Sequence, residues 1–351
     1  MGKKIRELGV TIGKLPVGRK NCITDVDGVQ VGHVTLDFPI DEEGTYACTG
    51  VTAVLPHSGN LFKKKVTAAS YVINGFGKTT GLVQVNELGV IESPIMLTNT
   101  FGVPAVTQGT LEYMLERNPE IGISTGTINL VVGECNDSYL NSIRHCPVTP
   151  GHAIEAIQNA TEEVAKEGAV GAGKGMVCFG YKGGIGSSSR IVSVEDENLS
   201  YTIGCLVLSN FGEKYEFQAD RYNSSKQQEP TTVKPTDGSI IIVLATDAPL
   251  SSRQLQRVIK RCGIGLGRTG SHFSHGSGDI VIGFTTAHKI SHVSQSVVEI
   301  RTQLREDHPI MNKLFTAAAE ATEEAIINSM SQAVTTAGRN NHTVHSYNFE
   351  N

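Results

Sequence analysis

The 351-residue sequence has no tryptophan, and aromatic residues make up only 6% of it. It has seven cysteines, an odd number, and none of them stands in a C-x-x-C spacing. Scattered cysteines of odd number fit buried thiols in a reducing compartment better than a disulfide framework. The sequence therefore gives no sign of a disulfide-rich secreted protein.

An excess of basic charge and a long apolar run are also missing. The 30 lysines and arginines and the 35 aspartates and glutamates give a formal net charge of -5, so we expect no nucleic-acid partner. No uncharged apolar run approaches the length of a bilayer span, and the basic residues 1–8 are not followed by an apolar segment. We therefore expect a globular protein of the cytoplasm, without a membrane segment or a secretory signal.

Glycine, in contrast, is abundant, with 38 residues, which indicates many tight turns and close backbone approaches. Residues 168–175 nearly match the phosphate-binding P-loop. However, Gly175 replaces the magnesium-binding Ser or Thr, and the segment follows a helix rather than a strand. A second glycine-rich segment, residues 182–190, is predicted to form a tight turn before a strand at Ile191.

Metal-ligating residues do not cluster in the sequence. His272 and His275 lie close together, but no third ligand follows at a spacing suited to zinc. We therefore predict no metal site and no cofactor.

Short apolar segments alternate with amphipathic segments along the chain. Strands are predicted at residues 51–56, 66–73, 94–100, 127–133, 176–181, 201–208, 239–247 and 280–285. Helices are predicted over residues 102–117, from 149 to about 164, over 252–262 and from 314 to about 333. Strands that alternate with helices but also cluster favour one domain, in which two stacked sheets lie between layers of helices.

Ser239 stands at the start of a strongly apolar strand. Residues 240–245 are Ile, Ile, Ile, Val, Leu and Ala, a run too short for a helix and too apolar for a surface strand. Residues 220–235 before it are polar, contain two prolines and show no apolar period, which predicts a mobile loop. A serine between a loop and a rigid strand suits a new chain terminus, although Gly238-Ser239 alone is an ordinary turn pair.

Several motifs in a fixed order make the sequence resemble a known family. They are Asp-Gly-Ser at 237–239 with Ala-Thr-Asp-Ala-Pro-Leu at 245–250, His-Gly-Ser-Gly-Asp-Ile at 275–280, Gly-Glu-Cys-Asn-Asp at 133–137, and Cys-Phe-Gly-Tyr-Lys-Gly-Gly-Ile-Gly-Ser-Ser-Ser-Arg at 178–190. From about residue 5 to 345 the sequence closely resembles the L-aminopeptidase/D-amidase/D-esterase family, which includes the β-aminopeptidases. Such an ordered set is far more specific than one Gly-Ser pair.

The resemblance implies an N-terminal nucleophile hydrolase with an α+β fold, a four-layer αββα sandwich of two stacked mixed sheets flanked by helices. The family cuts its own precursor before a Ser or Thr, and the matching bond here joins Gly238 to Ser239. A single catalytic domain, residues 1–351, would then consist of an α chain, residues 1–238, and a β chain, residues 239–351. Family members commonly form tetramers, so a homo-oligomer of processed αβ units is expected.

The resemblance also implies catalytic roles. Ser239 is the nucleophile, and its freed α-amine, with a reference pKa of about 7.7 to 8, is the base, so no Ser-His-Asp triad is required. Ser277 relays or orients the proton, and Asp279 holds the ammonium group or tunes its pKa. Relatives carry Glu at that acidic position, and the shorter Asp279 reaches less far. Asn210 matches the asparagine of the oxyanion hole.

On the substrate side, Glu134 matches an acid that receives the free amino group of the substrate. Asn136 and Tyr139 are both candidates for a nearby polar position, and Tyr139 is preferred because its hydroxyl can donate to an oxyanion. The predicted function is that of a serine aminopeptidase or amidase. It would release small N-terminal L-, D- or β-amino acyl residues from peptides, amides or esters through an acyl-enzyme.

Two other functions are compatible with the same residues. Acyl transfer to an amine, as in ornithine acetyltransferases, uses the same scaffold, but those enzymes usually carry Thr as the nucleophile, so Ser239 argues against it. The other alternative is an unprocessed chain that serves as a binding or assembly module. The joint presence of Ser239, Ser277, Asp279 and Asn210 argues against that module.

Overall fold

Two β-sheets form the centre of the computed structural model, which describes residues 2–41, 43–194, 197–222 and 238–349. The strands are β1 (Gln30–Pro39), β2 (Tyr46–Leu55), β3 (Lys64–Gly75), β4 (Val90–Ile91), β5 (Ile95–Asn99), β6 (Val131–Cys135), β7 (Val177–Cys178), β8 (Tyr181–Lys182), β9 (Gly184–Val194), β10 (Leu199–Asn210), β11 (Ser239–Thr246), β12 (Gly278–Ser291), β13 (Thr336–Ala337) and β14 (Thr343–Val344). The α-helices are α1 (Leu82–Leu88), α2 (Val103–Arg117), α3 (Pro150–Gln158), α4 (Ser252–Ile259), α5 (Cys262–Thr269) and α6 (Ile310–Ser331). Of the segment predicted to be a loop, residues 223–235 lie outside the described residues.

Both sheets are mixed. The smaller sheet has the strand order β1-β2-β5-β6, with β5 and β6 parallel and the other pairs antiparallel. The larger sheet has the order β4-β3-β12-β11-β10-β9, in which β11 and β12 are the parallel pair. The strand that begins with Ser239 therefore lies in the interior of the larger sheet.

Three apolar clusters join the two sheets and the helices into four layers. One cluster joins the facing sides of the two sheets, with Leu97 and Val131 against Leu208 and Ile241. A second cluster packs α2 and α3 on the outer side of the smaller sheet, and a third packs α4, α5 and α6 on the outer side of the larger one. The order helix, sheet, sheet, helix confirms the predicted αββα sandwich.

Strand β11 is apolar throughout because both of its faces are buried. Residues 240, 242 and 244 belong to the cluster on the helix side, whereas residues 241, 243 and 245 belong to the cluster between the sheets. Side chains of a strand alternate between the two faces. Ser239 therefore shares the face of Ile241, which is directed towards the smaller sheet.

The prediction of a tight turn at residues 182–190 is wrong, because β9 begins at Gly184 and runs through the whole Gly-Ser segment. Helix α6 lies directly on this strand. A Cβ atom at Gly186 would overlap the carbonyl oxygen of Ala325, and Ser188 Oγ donates to the carbonyl of Ala321 at 2.6 Å. Small residues are needed here because helix α6 packs closely on the strand. A strand segment made of such residues has the same Gly- and Ser-rich composition as a turn, so the sequence alone does not distinguish the two.

Other elements differ from the prediction in their boundaries. The strand predicted at 176–181 is a hairpin of β7 and β8, with Phe179 (φ 52°) and Gly180 (φ 75°) at its turn. The third predicted helix ends at Ile259, and a separate helix, α5, follows from Cys262. The remaining predicted helices and strands are present, with ends shifted by a few residues.

A buried ionic network connects β9 with α6. Arg190 is fully buried and donates to Glu320 Oε2 at 3.1 Å and to Glu324 Oε2 at 2.7 Å. Arg6 donates to both carboxylate oxygens of Glu324, at 2.8 and 2.9 Å. The arginines precede residue 239 and the glutamates follow it, so the network joins the two parts of the chain.

We predict that Arg190→Met lowers the free energy of unfolding by about 3 to 5 kcal/mol, because it leaves buried carboxylates without their partner. The measurement is guanidinium unfolding followed by circular dichroism, in a Ser239→Ala background that keeps the chain covalently intact. The control is Arg305→Met. Arg305 pairs with Asp307 on the surface, both side chains more than 70% exposed, and its loss should cost less than about 1 kcal/mol. Equal effects of the two substitutions would contradict a stabilising role of the network.

Candidate active site

Strand pairing brings Ser239, Asn210 and Gly278 side by side. Ser239, the first residue of β11, lies opposite Asn210, the last residue of β10, and opposite Gly278, the first residue of β12. The side chain of Ser239 is almost completely buried, with 5% of the residue exposed. Strand pairing thus brings two of the predicted site residues, Ser239 and Asn210, together at one end of the larger sheet.

The main-chain N–H of Gly278 contacts both reacting groups of the predicted cleavage site. It lies 3.2 Å from Ser239 Oγ and 3.2 Å from the carbonyl oxygen of Gly238. That carbonyl belongs to the peptide bond that precedes Ser239. A donor shared in this way holds the hydroxyl beside the carbonyl and polarises the carbonyl group.

Ser277 and Asp279 form a buried pair next to this donor. Ser277 Oγ donates to Asp279 Oδ1 at 2.7 Å. Burial raises the pKa of Asp279 to about 6, against the opposing effect of the hydrogen bond from Ser277. The other carboxylate oxygen, Oδ2, is buried and has no hydrogen-bond partner among the described residues. Asp279 therefore keeps one carboxylate oxygen free to accept a hydrogen bond at the end of the sheet where Ser239 lies.

Asn74, which the sequence analysis missed, holds the loop that carries Ser277. Its side-chain amide donates to the carbonyl of Ser274 at 3.0 Å and to that of Ser277 at 2.5 Å. The N–H of Phe76 donates to the same Ser277 carbonyl at 3.2 Å. The end of β3 thus fixes the start of β12, and no local sequence pattern indicates this relation between distant segments.

The side-chain amide of Asn210 has a defined orientation. Its Oδ1 accepts from the N–H of Val177 at 2.8 Å, and its Nδ2 donates to the carbonyl of Asn136 at 2.9 Å. Because a main-chain N–H can only donate, the oxygen must face Val177. One hydrogen on Nδ2 is left over, which is what an oxyanion hole requires of a donor.

Glu134, near the end of β6, is held by two donors. The N–H of Lys78 donates to Oε1 at 2.7 Å, and the hydroxyl of Thr100 donates to Oε2. A Cβ atom at Gly77 would stand 3.5 Å from Glu134 Oε1 and 3.7 Å from the Cα of Gly278. The Gly77 main chain therefore lies close both to the Glu134 carboxylate and to Gly278, the residue opposite Ser239.

Of the two residues that donate to Glu134, the sequence could have indicated Thr100 but not Lys78. Thr100 stands in the polar cluster that ends the predicted strand at 94–100, and polar residues at a strand end are candidates for a cleft. Lys78 acts through its main-chain N–H, so its residue type carries no signal.

Asn136 and Tyr139 have different surroundings. Asn136 contacts Asn210 through its carbonyl, as described above. Tyr139 stacks on His342, with 4.7 Å between the ring centroids and 21° between the planes. The structure thus brings Asn136 to Asn210, while the ring of Tyr139 packs against the C-terminal part of the chain.

Thiol groups near the site are not competing nucleophiles. Burial raises the pKa of Cys48 and of Cys178 to about 12 and raises the pKa of Cys135 well above the ordinary value of a thiol. A thiol with so high a pKa stays protonated at neutral pH, and the thiolate is the reactive form. Ser239 is therefore the better candidate.

Two solved structures share the fold over nearly the whole chain. A protein from Pyrococcus horikoshii OT3 is 47% identical, with a TM-score of 0.90, covering 99% of this chain and 97% of that chain. The L-aminopeptidase D-Ala-esterase/amidase from Ochrobactrum anthropi, described as a prototype for the serine aminopeptidases and a variant of the Ntn hydrolase fold, is 32% identical, with a TM-score of 0.90 and coverage of 99% and 96%. The fold therefore places this chain in the class of N-terminal nucleophile hydrolases.

Sequence comparison defines the family. The model of peptidase family S58 matches residues 21–344. The β-peptidyl aminopeptidase BapA of Sphingosinicella microcystinivorans is 38% identical over 366 residues, which cover 98% of this chain and 89% of that protein. The chain belongs to peptidase family S58 and is a serine aminopeptidase or amidase with an N-terminal nucleophile hydrolase fold. The family predicted from the sequence motifs is confirmed.

The raised pKa of Asp279 gives a pH-dependent prediction. In the folded chain the carboxyl titrates near pH 6, above the ordinary value of about 3.9 that it has when unfolded. Its contribution to stability is therefore complete below pH 4 and is lost as the pH rises towards 7. Relative to an Asp279→Asn variant, the free energy of unfolding should fall by up to about 3 kcal/mol over this range.

The measurement is guanidinium unfolding at several pH values, with Ser239→Ala in both chains so that neither can be cut before residue 239. The prediction concerns only how the difference in free energy of unfolding between the two chains changes with pH. The Asp279→Asn substitution itself also changes the stability by an amount that does not depend on pH. A difference between the two chains that stays flat from pH 4 to 7 would show that Asp279 titrates normally.

Proposed function

We propose that the chain cuts its own Gly238–Ser239 bond and then acts as an aminopeptidase through the new N-terminus. The observation that carries this proposal is the N–H of Gly278, which is shared by Ser239 Oγ and the Gly238 carbonyl. Attack of Oγ on that carbonyl carbon transfers the Gly238 acyl group from nitrogen to oxygen. Water then hydrolyses the ester and leaves a carboxylate on Gly238 and a free amine on Ser239.

The Ser277–Asp279 pair is the acceptor for the hydroxyl proton in this first reaction. A carboxylate whose pKa is raised to about 6 is a stronger base than an ordinary Asp. After the cut, the free Oδ2 of Asp279 is available to the new ammonium group of Ser239. Ser277 then keeps the carboxylate in place through its hydrogen bond.

In the mature enzyme the α-amine of Ser239 takes the proton from its own hydroxyl, and Oγ attacks the substrate carbonyl. The remaining N–H of Asn210 stabilises the oxyanion of the tetrahedral intermediate. The amine passes the proton to the leaving group. In the second step the amine takes a proton from water, which attacks the acyl-enzyme, and returns that proton to Ser239 Oγ. Tyr139 and Asn136 stay candidates for a second polar contact, and Asn136 has the support of its contact with Asn210.

Glu134 binds the free ammonium group of the substrate. Both of its oxygens accept one hydrogen bond and keep further acceptor capacity. A buried carboxylate near Gly278 limits the distance between the substrate amine and the scissile carbonyl, so the amine should lie only one or two carbon atoms from that carbonyl, as in α- and β-amino acyl residues. β-Amino acyl, L-amino acyl and D-amino acyl peptides, amides and esters are the substrate classes that the names of the relatives suggest.

The processed protein is one catalytic domain, residues 1–351, made of an α chain (1–238) and a β chain (239–351). We place it in the cytoplasm, supported by seven free cysteines, of which six are buried. No helix of the described residues is long and apolar enough to cross a membrane.

A homo-oligomer, with a tetramer of αβ units as the expected form, is supported by a segment with exposed aliphatic residues. Val293, Val297, Val298 and Ile300 are each at least 75% exposed. Several such residues in one short segment are unusual on the surface of a monomer.

The first test is the covalent state of the purified protein. Intact-mass measurement should show fragments 1–238 and 239–351, at a cleavage rate that does not depend on protein concentration because the reaction is intramolecular. Ser239→Ala should give one chain, and Ser271→Ala, in a neighbouring loop, should be cut normally. A soluble, active wild type that remains uncut would falsify the proposal.

The second test concerns the substrate amine. Glu134→Gln keeps the shape of the side chain but removes the charge. We expect kcat/KM for aminoacyl p-nitroanilides to fall about 10- to 100-fold, mainly through KM, because a charge-assisted hydrogen bond is lost. Glu87→Gln, an exposed residue of α1, is the control. Unchanged kinetics of the Glu134 variant would remove Glu134 from the binding site.

A further inference from the structure

Lys182 is a fully buried lysine to which the proposed mechanism gives no role. Its ammonium group donates to three main-chain carbonyls, those of Gly173 at 3.0 Å, Met176 at 2.7 Å and Gly183 at 2.7 Å. An ammonium group has three hydrogens. All of them are therefore used within the segment that contains the β7–β8 hairpin.

Keeping this charge in the interior is costly. Burial lowers the pKa of Lys182 to about 7, and no carboxylate forms an ion pair with it in the described part of the chain. The three carbonyl groups that accept its hydrogen bonds offset part of the cost of burying the charge. An apolar residue would fill the same space without this cost, so the contacts themselves point to a role for the ammonium group.

One of these contacts continues directly to the proposed oxyanion hole. The carbonyl of Met176 and the N–H of Val177 belong to the same peptide group, which is planar and rigid. The oxygen of this group accepts hydrogen bonds from the Lys182 ammonium group at 2.7 Å and from the N–H of Gly183 at 3.1 Å, and the N–H of the group donates to Asn210 Oδ1 at 2.8 Å. The orientation of this single peptide plane therefore links the ammonium group to the Asn210 amide.

The direction of the Asn210 amide depends on that peptide plane. Rotation of the Met176–Val177 peptide would withdraw the N–H that keeps Oδ1 away from the reacting groups. The amide could then flip or turn, and Nδ2 would no longer be directed as an oxyanion donor. A displaced donor loses most of its effect, because stabilisation of the transition state requires donors fixed before the reaction.

We propose that Lys182 is a positioning residue of the oxyanion hole, which holds the Met176–Val177 peptide so that Val177 orients Asn210. This inference rests on the proposed role of Asn210 in catalysis.

The test is a double-mutant cycle with Lys182→Met and Asn210→Ala, measured as kcat and KM on an aminoacyl p-nitroanilide and normalised to the cleaved fraction of each protein. Lys182→Met alone should lower kcat about 10-fold or more, with KM changed by less than about threefold. In the Asn210→Ala background the same substitution should lower kcat by less than about twofold, because its target is already absent.

Lys174→Met is the matched control. Lys174 lies in the same segment, is also largely buried, and pairs with Asp37 at 2.7 Å, and within the described part of the chain its side chain forms no hydrogen bond with the Met176–Val177 peptide. Its kcat should stay within about twofold of the parent. If Lys182→Met does not fold, Lys182→Leu, which is smaller and also lacks a donor, replaces it in the cycle.

The outcomes separate the two proposals. If Asn210→Ala keeps normal kcat, the role of Asn210 fails, and the positioning role of Lys182 fails with it. If Asn210→Ala lowers kcat but the Lys182 variant does not, only the positioning role is overturned. The positioning role is also overturned if Lys182→Met lowers kcat by the same factor with and without Asn210→Ala, because Lys182 would then act independently of Asn210.

Discussion

The pairing of β11 with β10 on one side and β12 on the other determines the positions of Ser239, Asn210 and Gly278 relative to one another. Asn210 and Gly278 stand opposite Ser239 only in the observed register. A slip of one residue would turn each side chain to the opposite face of the sheet. The apolar residues 240–245 prevent such a slip because they fill two different clusters in strict alternation. The core of the sandwich thus maintains the geometry at its edge.

Part of this arrangement could be read from the sequence because its signals are local. The apolar run after Ser239 predicts an interior strand, and the polar residues Asn210 and Glu134 stand where predicted strands end. The glycine- and serine-rich β9 and the short helix α5 were misjudged. In α5, a Cβ at Gly265 would stand 2.4 Å from the carbonyl oxygen of Ala319 in α6. Packing against α6 overrides the low helix propensity of glycine here, and no local pattern reveals such a partner.

Contacts made by the main chain were beyond the reach of the sequence. The N–H groups of Lys78, Val177 and Gly278 contact Glu134, Asn210 and Ser239 respectively. Every residue except proline has this donor, so residue type does not show where it is used. Only the fold, which brings distant segments together, gives these groups a function. The sequence therefore indicates candidate side chains but not the main-chain groups that hold them.

The ionic network between β9 and α6 has a consequence for the stability of the proposed processed protein. A cut before Ser239 converts one folding chain into two chains whose reassembly is a bimolecular event. Separation would remove β11 and β12 from the interior of a six-stranded sheet and expose the partners of Arg190. Dissociation of the proposed two-chain form on dilution would therefore be strongly disfavoured, yet once unfolded its two chains would have no covalent connection. The mature enzyme would owe its persistence to a slow rate of opening rather than to reversible refolding.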